Sequence, residues 1–172
     1  MDFRNVISVR NNRGMRDNNP LNVSDSNWQG EVDVDTNSEG EAIFSDMSFG
    51  IRAAALNLYS YYYLHGRKTI QDIINNWAPA SDGNDPISYA QYVSDQTGIG
   101  VNEFFHFNSK NIKAIMKAMA NEELGKNYAI QIPDTDWDKG LNMTNKSVLA
   151  IAATGGSLII LLLLGLYYFI QK

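Results

Sequence analysis

Apolar residues recur at helical spacing in four segments of the chain, and each stripe predicts one α-helix. The predicted helices begin near Ser48, after Thr69, at Asp85 and at Ser109. Their apolar positions are, in order, Ile51, Ala54, Ala55, Leu58 and Tyr62; Ile70, Ile73, Ile74 and Trp77; Tyr89, Tyr92 and Val93; and Ile112, Ile115, Met116 and Met119. The expected stop signals are Gly66, Pro79, Gly98 and Gly125. These stripes predict a mainly α domain.

Between residues 17 and 49 the pattern changes to short alternation among turn-forming residues. Val32 and Val34 alternate with acids, and residues 36–40 supply the Asn, Ser and Gly that loops favour. Residues 42–44 then predict a return strand. A small β-hairpin inside a helical domain makes the predicted fold class α+β.

Near the C-terminus, 24 residues from Ser147 to Ile170 contain no charged side chain. About 20 apolar residues are enough to cross a bilayer core about 30 Å thick. The run therefore predicts one transmembrane helix, with Tyr167 and Tyr168 at the membrane–water interface. Ala152 and Gly156 form a small-xxx-small pair that would allow two such helices to associate, so a homo-oligomer is possible.

These patterns divide the chain into five parts. They are an N-terminal arm at 1–16, a folded domain at 17–125, a polar tether at 126–146, the transmembrane helix at 147–170 and a tail at 171–172. The N-terminal residues lack a long apolar segment, so no cleaved signal peptide is predicted and the domain is expected to stay in the cytoplasm.

Composition and charge exclude several classes of function. The 146 residues before the apolar run hold all 19 acids and 13 of the 14 bases, a net charge of about −6, which argues against a nucleic-acid partner. There is no cysteine, which rules out zinc-thiolate and iron–sulfur sites and a cysteine nucleophile. With only two histidines as well, neither a metal site nor an organic cofactor is expected.

Six short motifs occur in a fixed order in the first two thirds of the chain. Residues 13–23 read RGMRDNNPLNV, residues 27–31 read NWQGE, and residues 44–53 read FSDMSFGIRA; TI at 69–70, WAP at 77–79 and ND at 84–85 follow. Together they resemble a family of phage and prophage structural proteins regarded as virion-associated peptidoglycan-degrading enzymes of lysozyme-like, lytic-transglycosylase-like character. The resemblance covers about residues 13–100. It implies a lysozyme-like fold and cleavage of glycan strands.

The resemblance singles out candidate substrate-binding residues. The amides of Asn18, Asn19 and Asn22 either hydrogen-bond a sugar or fix a tight turn. Trp28 either stacks on a sugar ring or lies in the core, and Tyr89 is a further candidate contact.

Lytic transglycosylases rely on one glutamate, which protonates the glycosidic oxygen. The first 30 residues of this chain contain no glutamate, which departs from the layout of many lysozyme-like enzymes. Glu31 is the favoured catalytic candidate because nearby Trp28 offers the apolar surroundings that raise a carboxyl pKa. Glu39 is second and Asp82 a distant third, and each of the three is alternatively an ordinary surface charge.

The sequence thus predicts a membrane-anchored lytic enzyme that cleaves host peptidoglycan during phage entry or release. Its expected location is the internal membrane of an icosahedral virion, with peptidoglycan, lipid, and capsid or other virion membrane proteins as partners. The alternative is a non-catalytic minor virion protein that uses the same domain as a binding or scaffolding module between membrane and capsid.

Overall fold

The computed structural model of the chain describes residues 1–37 and 40–153. Seven α-helices and two strands lie in these ranges: α1 (Arg13–Arg16), β1 (Glu31–Val34), β2 (Ala42–Phe44), α2 (Met47–Tyr59), α3 (Ile70–Trp77), α4 (Pro86–Thr97), α5 (Ser109–Leu124), α6 (Lys126–Ala129) and α7 (Asp134–Ala153). A π-helical turn (Ser60–Leu64) prolongs α2, and two 3-10 turns occur at Ile7–Val9 and Ala80–Asp82.

Side-chain caps fix where the helices begin. The Asp46 carboxylate accepts a hydrogen bond from the backbone N–H of Ser48 at the start of α2. Thr69 and Asp72 form a reciprocal capping box at the start of α3. Asp85 caps α4, which begins with proline as predicted. At α5 the cap is the side chain of Asn108 rather than the predicted Ser109.

The predicted hairpin is confirmed. Strands β1 and β2 pair antiparallel, with Val34 opposite Ala42 and Glu31 opposite Phe44, and the register is irregular between Glu31 and Asp33. Ala42 and Phe44 are fully buried, so the inner face of β2 closes one side of the core.

The core forms around α2, which packs against α7 and against β2. Helix α4 packs between α3 and α5, and α5 in turn contacts α6. The apolar stripe of each predicted helix points inward. The largest fully buried side chains of these helices are Met47, Ile51, Leu58, Ile70, Ile73, Ile74, Ile112 and Ile115.

Residues 126–146, predicted to be a polar tether, instead form α6 and the first part of α7, and both helices pack against the domain. Trp137 and Leu141 of α7 are 1% and 6% exposed. Their spacing of four residues puts both on one inward-facing side of α7. Gly140 lies so close to Ile51 that an added Cβ would come within 2.6 Å of its Cγ2. Most polar residues of this segment face solvent. A few apolar residues, spaced to lie on one side of the helix, are enough to pack it against the domain.

The predicted C-terminal transmembrane helix is wrong, and so is the location in a virion membrane that depended on it. None of the helices in the part of the chain that the structure describes combines the length and apolar character needed to cross a bilayer. Helix α7 starts at Asp134 and runs through Ser147 to Ala153, so no boundary exists where the anchor was predicted to begin. The remainder of the predicted span, including Gly156 of the proposed pairing motif, lies outside the described residues.

Helix α2 and the turn at residues 17–22 approach each other at Gly50. A Cβ at this position would overlap the backbone carbonyl oxygen of Asn18. Since both partners are buried backbone, neither can move aside cheaply.

We expect Gly50→Ala to lower the free energy of unfolding by about 3 kcal/mol, the upper range for overpacking. Urea denaturation of the full-length chain measures this loss. Asn57→Ala, on the same helix at a partly exposed position, serves as the control and should change stability little. Equal stability of the two variants would show that the contact at Gly50 is not tight.

Candidate active site

Asn18 and Asn19 lie inside the fold, with 0% and 1% of their surface exposed. The Asn18 side chain donates to the carbonyl of Phe44 at 2.9 Å. The Asn19 side chain accepts from the backbone N–H of Val23 at 2.8 Å and donates to the carbonyl of Ala42 at 2.9 Å. Both amides therefore join the turn at residues 17–22 to the hairpin, the structural role that was one of their two predicted alternatives.

Asn22 points away from the hairpin and toward α5. Its φ angle of 50° lies in the left-handed region, which asparagine tolerates better than most residues. From there its Nδ2 donates to Oε2 of Glu123 at 2.8 Å. Gly14 makes the approach possible, because a Cβ on it would collide with Leu124 beside Glu123.

Two aromatic side chains complete the surroundings of Glu123. The hydroxyl of Tyr89, on α4, donates to Glu123 Oε1 at 2.9 Å. Trp77, at the end of α3, also lies beside this carboxylate, and its indole N–H helps to lower the pKa of Glu123. Asn22 and Trp77 belong to two of the sequence motifs, and Tyr89 follows the last motif by four residues. The structure brings all three residues together at one carboxyl group.

Burial dominates the electrostatics of this cluster. Burial raises the pKa of Glu123 above the ordinary glutamate value, against the opposing effect of the polar hydrogens of Tyr89, Asn22 and Trp77. The nearby charge of Glu122 adds to the rise. Burial and the Glu123 carboxylate likewise raise the pKa of Tyr89, so its hydroxyl stays neutral. The Glu123 side chain keeps a partly exposed surface. The site thus holds a carboxyl group that retains a proton more readily than a surface glutamate and remains within reach of solvent.

The hydroxyl of Tyr89 can change its hydrogen-bond acceptor when Glu123 gains or loses a proton. It lies 2.9 Å from Glu123 Oε1 and 3.3 Å from the carbonyl oxygen of Met119. With Glu123 ionised, the hydroxyl donates to the carboxylate. With Glu123 protonated on Oε1, the carboxyl donates to the phenol oxygen and the phenol proton turns to Met119. Both charge states of Glu123 therefore keep a hydrogen-bond partner.

The sequence predictions missed Glu123, although a signal was present. The apolar stripe of α5 runs through Ile112, Ile115 and Met119, and Glu123 occupies the next position on the same helical face. A carboxylate that continues an apolar stripe faces the interior, where its pKa shifts.

The predicted catalytic residue Glu31 lies in a different set of contacts. Its carboxylate accepts from the backbone N–H of Trp28 at 2.7 Å and closes the loop that precedes β1. Burial, followed by the neighbouring Asp25 carboxyl, raises the pKa of Glu31, while hydrogen bonding to Glu31 lowers that of Asp25. Trp28 packs partly buried against the core, and its indole donates to the carbonyl of Ser24 at 2.9 Å.

Neither of the other two predicted acids is among the described contacts of Glu123. Glu39 lies outside the described residues. Asp82 is exposed in the 3-10 turn at Ala80–Asp82 and accepts a hydrogen bond from the hydroxyl of Ser81. Within residues 1–37 and 40–153, no group of three or more acids and histidines is placed to hold a metal ion.

The raised pKa of Glu123 predicts a dependence of stability on pH. The stabilising contribution of a group whose pKa is higher in the folded state is complete below its unfolded pKa, and it is lost as the pH rises through the folded pKa. Glu123→Gln carries no titrating proton. Its free energy of unfolding should therefore rise relative to the unmodified chain as the pH goes from about 4 to about 8.

Urea denaturation at a series of pH values measures this difference. Glu122→Gln, an exposed neighbour, is the matched control. Because the charge of Glu122 contributes less to the shift than burial and the polar hydrogens do, the difference between this variant and the unmodified chain should vary with pH much less than that of Glu123→Gln. A constant offset between Glu123→Gln and the unmodified chain at all pH values would refute the shift.

Comparison with known proteins places the chain among bacteriophage proteins. No family model matches it. Protein P5 of Pseudoalteromonas phage PM2 is 36% identical over 120 residues, which cover 67% of this chain and 72% of the relative. The predicted phage origin agrees with this relationship, whereas the predicted membership of a peptidoglycan-degrading family is not shown by it. The chain belongs to the family of phage PM2 protein P5.

Proposed function

We propose that the chain is a virion-associated protein that cleaves the glycan strands of host peptidoglycan, with Glu123 as the general acid. One observation carries this proposal: a mostly buried carboxyl group of raised pKa sits where Asn22, Trp77 and Tyr89 converge. The sequence similarity of the chain to a phage protein supports a role in a phage.

Glycosidic cleavage needs a carboxylic acid that is still protonated near neutral pH. Glu123 would pass its proton to the bridging oxygen as the bond from the sugar C1 to that oxygen breaks. A water molecule, or the C6 hydroxyl of the same sugar, would then bond to C1 and return a proton to the Glu123 carboxylate. Water gives a reducing end, and the C6 hydroxyl gives a 1,6-anhydro sugar.

The neighbours of Glu123 suit a sugar substrate. Trp77 and Tyr89 are partly exposed aromatic side chains beside the carboxyl group, and aromatic surfaces favour the apolar faces of sugar rings. Asn22 is also partly exposed and adds an amide at the same place. Of the five predicted substrate contacts, Asn22 and Tyr89 lie at this carboxyl group.

Glu31 stays a second proposed catalytic carboxyl. Its pKa is raised as well, and it adjoins the partly buried Trp28. The Glu31 carboxylate accepts a hydrogen bond from the backbone N–H of Trp28. This bond stabilises the loop before β1, which favours a structural role for Glu31 over a catalytic one. Glu39 is retained as a further candidate on the sequence motif alone.

A non-catalytic virion scaffold or binding module is the alternative. It is favoured by the internal use of the polar groups: Asn18 and Asn19 are saturated by the fold, and each oxygen of Glu123 already accepts a hydrogen bond. In that case the Glu123 cluster serves to join α3, α4 and α5 to the turn at residues 17–22.

Purified full-length chain on isolated peptidoglycan tests the two functions. We expect release of soluble glycan fragments, and we expect Glu123→Gln to slow that release by about 100-fold or more, the usual contribution of a general acid. Chromatography of the fragments distinguishes reducing ends from 1,6-anhydro ends.

Glu122→Gln is the matched control and should release fragments at the rate of the unmodified chain. Glu31→Gln and Glu39→Gln test the other two carboxyl groups. If Glu123→Gln keeps full activity and Glu31→Gln loses activity, the general acid is Glu31 and not Glu123. No release by the unmodified chain would favour the scaffold.

A further inference from the structure

The two carboxyl oxygens of Glu123 have chemically different neighbours. Oε2 accepts a hydrogen bond from the side-chain amide of Asn22 at 2.8 Å. Oε1 lies 2.9 Å from the hydroxyl oxygen of Tyr89. The amide nitrogen of Asn22 can only donate, whereas a phenol hydroxyl can both donate and accept. The two oxygens are therefore not equivalent as positions for a proton.

This difference decides which oxygen carries the proton when Glu123 is neutral. In a neutral carboxyl group the unprotonated oxygen is the better acceptor, so the bond from Asn22 favours Oε2 as that acceptor. The proton then belongs on Oε1, where the phenol oxygen of Tyr89 can accept it. Asn22 lies in the turn at residues 17–22 and Tyr89 lies on α4, so the packing of the fold maintains the difference.

A second acceptor allows the Tyr89 hydroxyl to reverse its hydrogen bond. The hydroxyl oxygen lies 3.3 Å from the backbone carbonyl oxygen of Met119. While Oε1 of Glu123 holds the proton, the phenol proton points to that carbonyl. Once Oε1 is ionised, the phenol proton turns to it, and a hydrogen bond to an ionised acceptor is about twice as strong as a neutral one.

The surroundings keep the phenol itself neutral during this exchange. Burial, followed by the Glu123 carboxylate, raises the pKa of Tyr89. Glu122 of α5 is the charged neighbour that acts on both Tyr89 and Glu123, and its effect on the pKa of Glu123 is smaller than that of burial. Helix α3 and the turn at residues 17–22 contribute the uncharged side chains of Trp77 and Asn22. The proton on Glu123 is thus controlled mainly by burial and by hydrogen-bond donors.

We propose that Tyr89 is a positioning residue for glycan cleavage, which holds the transferable proton of Glu123 on Oε1 and stabilises that oxygen as the proton leaves. This inference rests on the proposed function of Glu123. As the Oε1–H bond breaks, the proton bonds to the bridging oxygen, which also takes the electron pair of the breaking bond to C1. The phenol proton turns from Met119 to Oε1 in the same step, so Tyr89 neither gains nor loses a proton.

The stronger hydrogen bond from Tyr89 exists only after the proton has begun to leave Glu123. An interaction that strengthens in the transition state raises kcat, whereas one made equally with the bound substrate lowers KM. A direct sugar contact by Tyr89, as the sequence predicted, would therefore act mainly on KM. The two roles of Tyr89 are distinguishable by experiment.

A ¹³C NMR titration of the full-length chain tests the position of the proton without any substrate. The Cζ carbon of Tyr89 reports on its hydroxyl, and the carboxyl carbon of Glu123 reports on its own ionisation. We expect both signals to titrate at the same pH, and the step in the Tyr89 signal to disappear in Glu123→Gln. A Tyr89 signal that stays constant through the Glu123 midpoint would overturn the proposal.

Tyr89→Phe removes the hydroxyl and keeps the ring. We expect the titration midpoint of Glu123 to rise by about one pH unit, because its ionised form loses a charge-assisted donor. Tyr92→Phe, which removes another hydroxyl from α4, is the matched control and should leave that midpoint unchanged. Equal midpoints in Tyr89→Phe and the unmodified chain would contradict the assigned role.

Cleavage of solubilised peptidoglycan chains separates positioning from direct sugar binding. Tyr89→Phe should lower kcat about tenfold with little change in KM. A raised KM at unchanged kcat would identify Tyr89 as a sugar contact and refute the positioning role. If the unmodified chain cleaves nothing, the proposed function of Glu123 fails and the role of Tyr89 in cleavage fails with it, whereas the NMR titrations still decide which group shares the proton.

Discussion

The rest of the structure depends on the buried turn at residues 17–22. The side-chain amides of Asn18 and Asn19 donate hydrogen bonds to the backbone carbonyls of Phe44 and Ala42. These bonds attach the return strand of the hairpin to the turn, where no regular secondary structure joins the two. Gly50 lets α2 close over the carbonyl of Asn18. Because these polar groups are fully buried, any one of them left unpaired would cost more than a surface hydrogen bond contributes.

The same turn determines the chemistry of the candidate site. It ends at Asn22, whose left-handed backbone directs its amide to Glu123 across 101 positions of sequence. Helices α3 and α4 bring Trp77 and Tyr89 to the same carboxyl group, so packing that stabilises the fold also removes Glu123 from water. Burial is what separates this acid from its exposed neighbour Glu122, and the proposed catalytic role follows from that difference in surroundings.

Local patterns in the sequence predicted the hairpin and four helices, because caps and periodicity act over a few residues. They did not predict α7. Between residues 134 and 145 its buried apolar side chains are Trp137 and Leu141, and the surrounding polar residues obscured this spacing. A long uncharged run suggested a boundary at Ser147 that α7 does not have. Glu123 was missed because its role depends on contacts with Asn22 and Tyr89, which come from distant parts of the chain.

The central claim is that burial holds a proton on Glu123 under conditions in which an exposed glutamate has lost it. A ¹³C NMR titration of the glutamate carboxyl carbons in the full-length chain tests this most directly, with Glu123→Gln to assign the signal of Glu123. We expect that signal to titrate at a pH above the ordinary glutamate value of about 4.3. A midpoint at or below that value would contradict the claim.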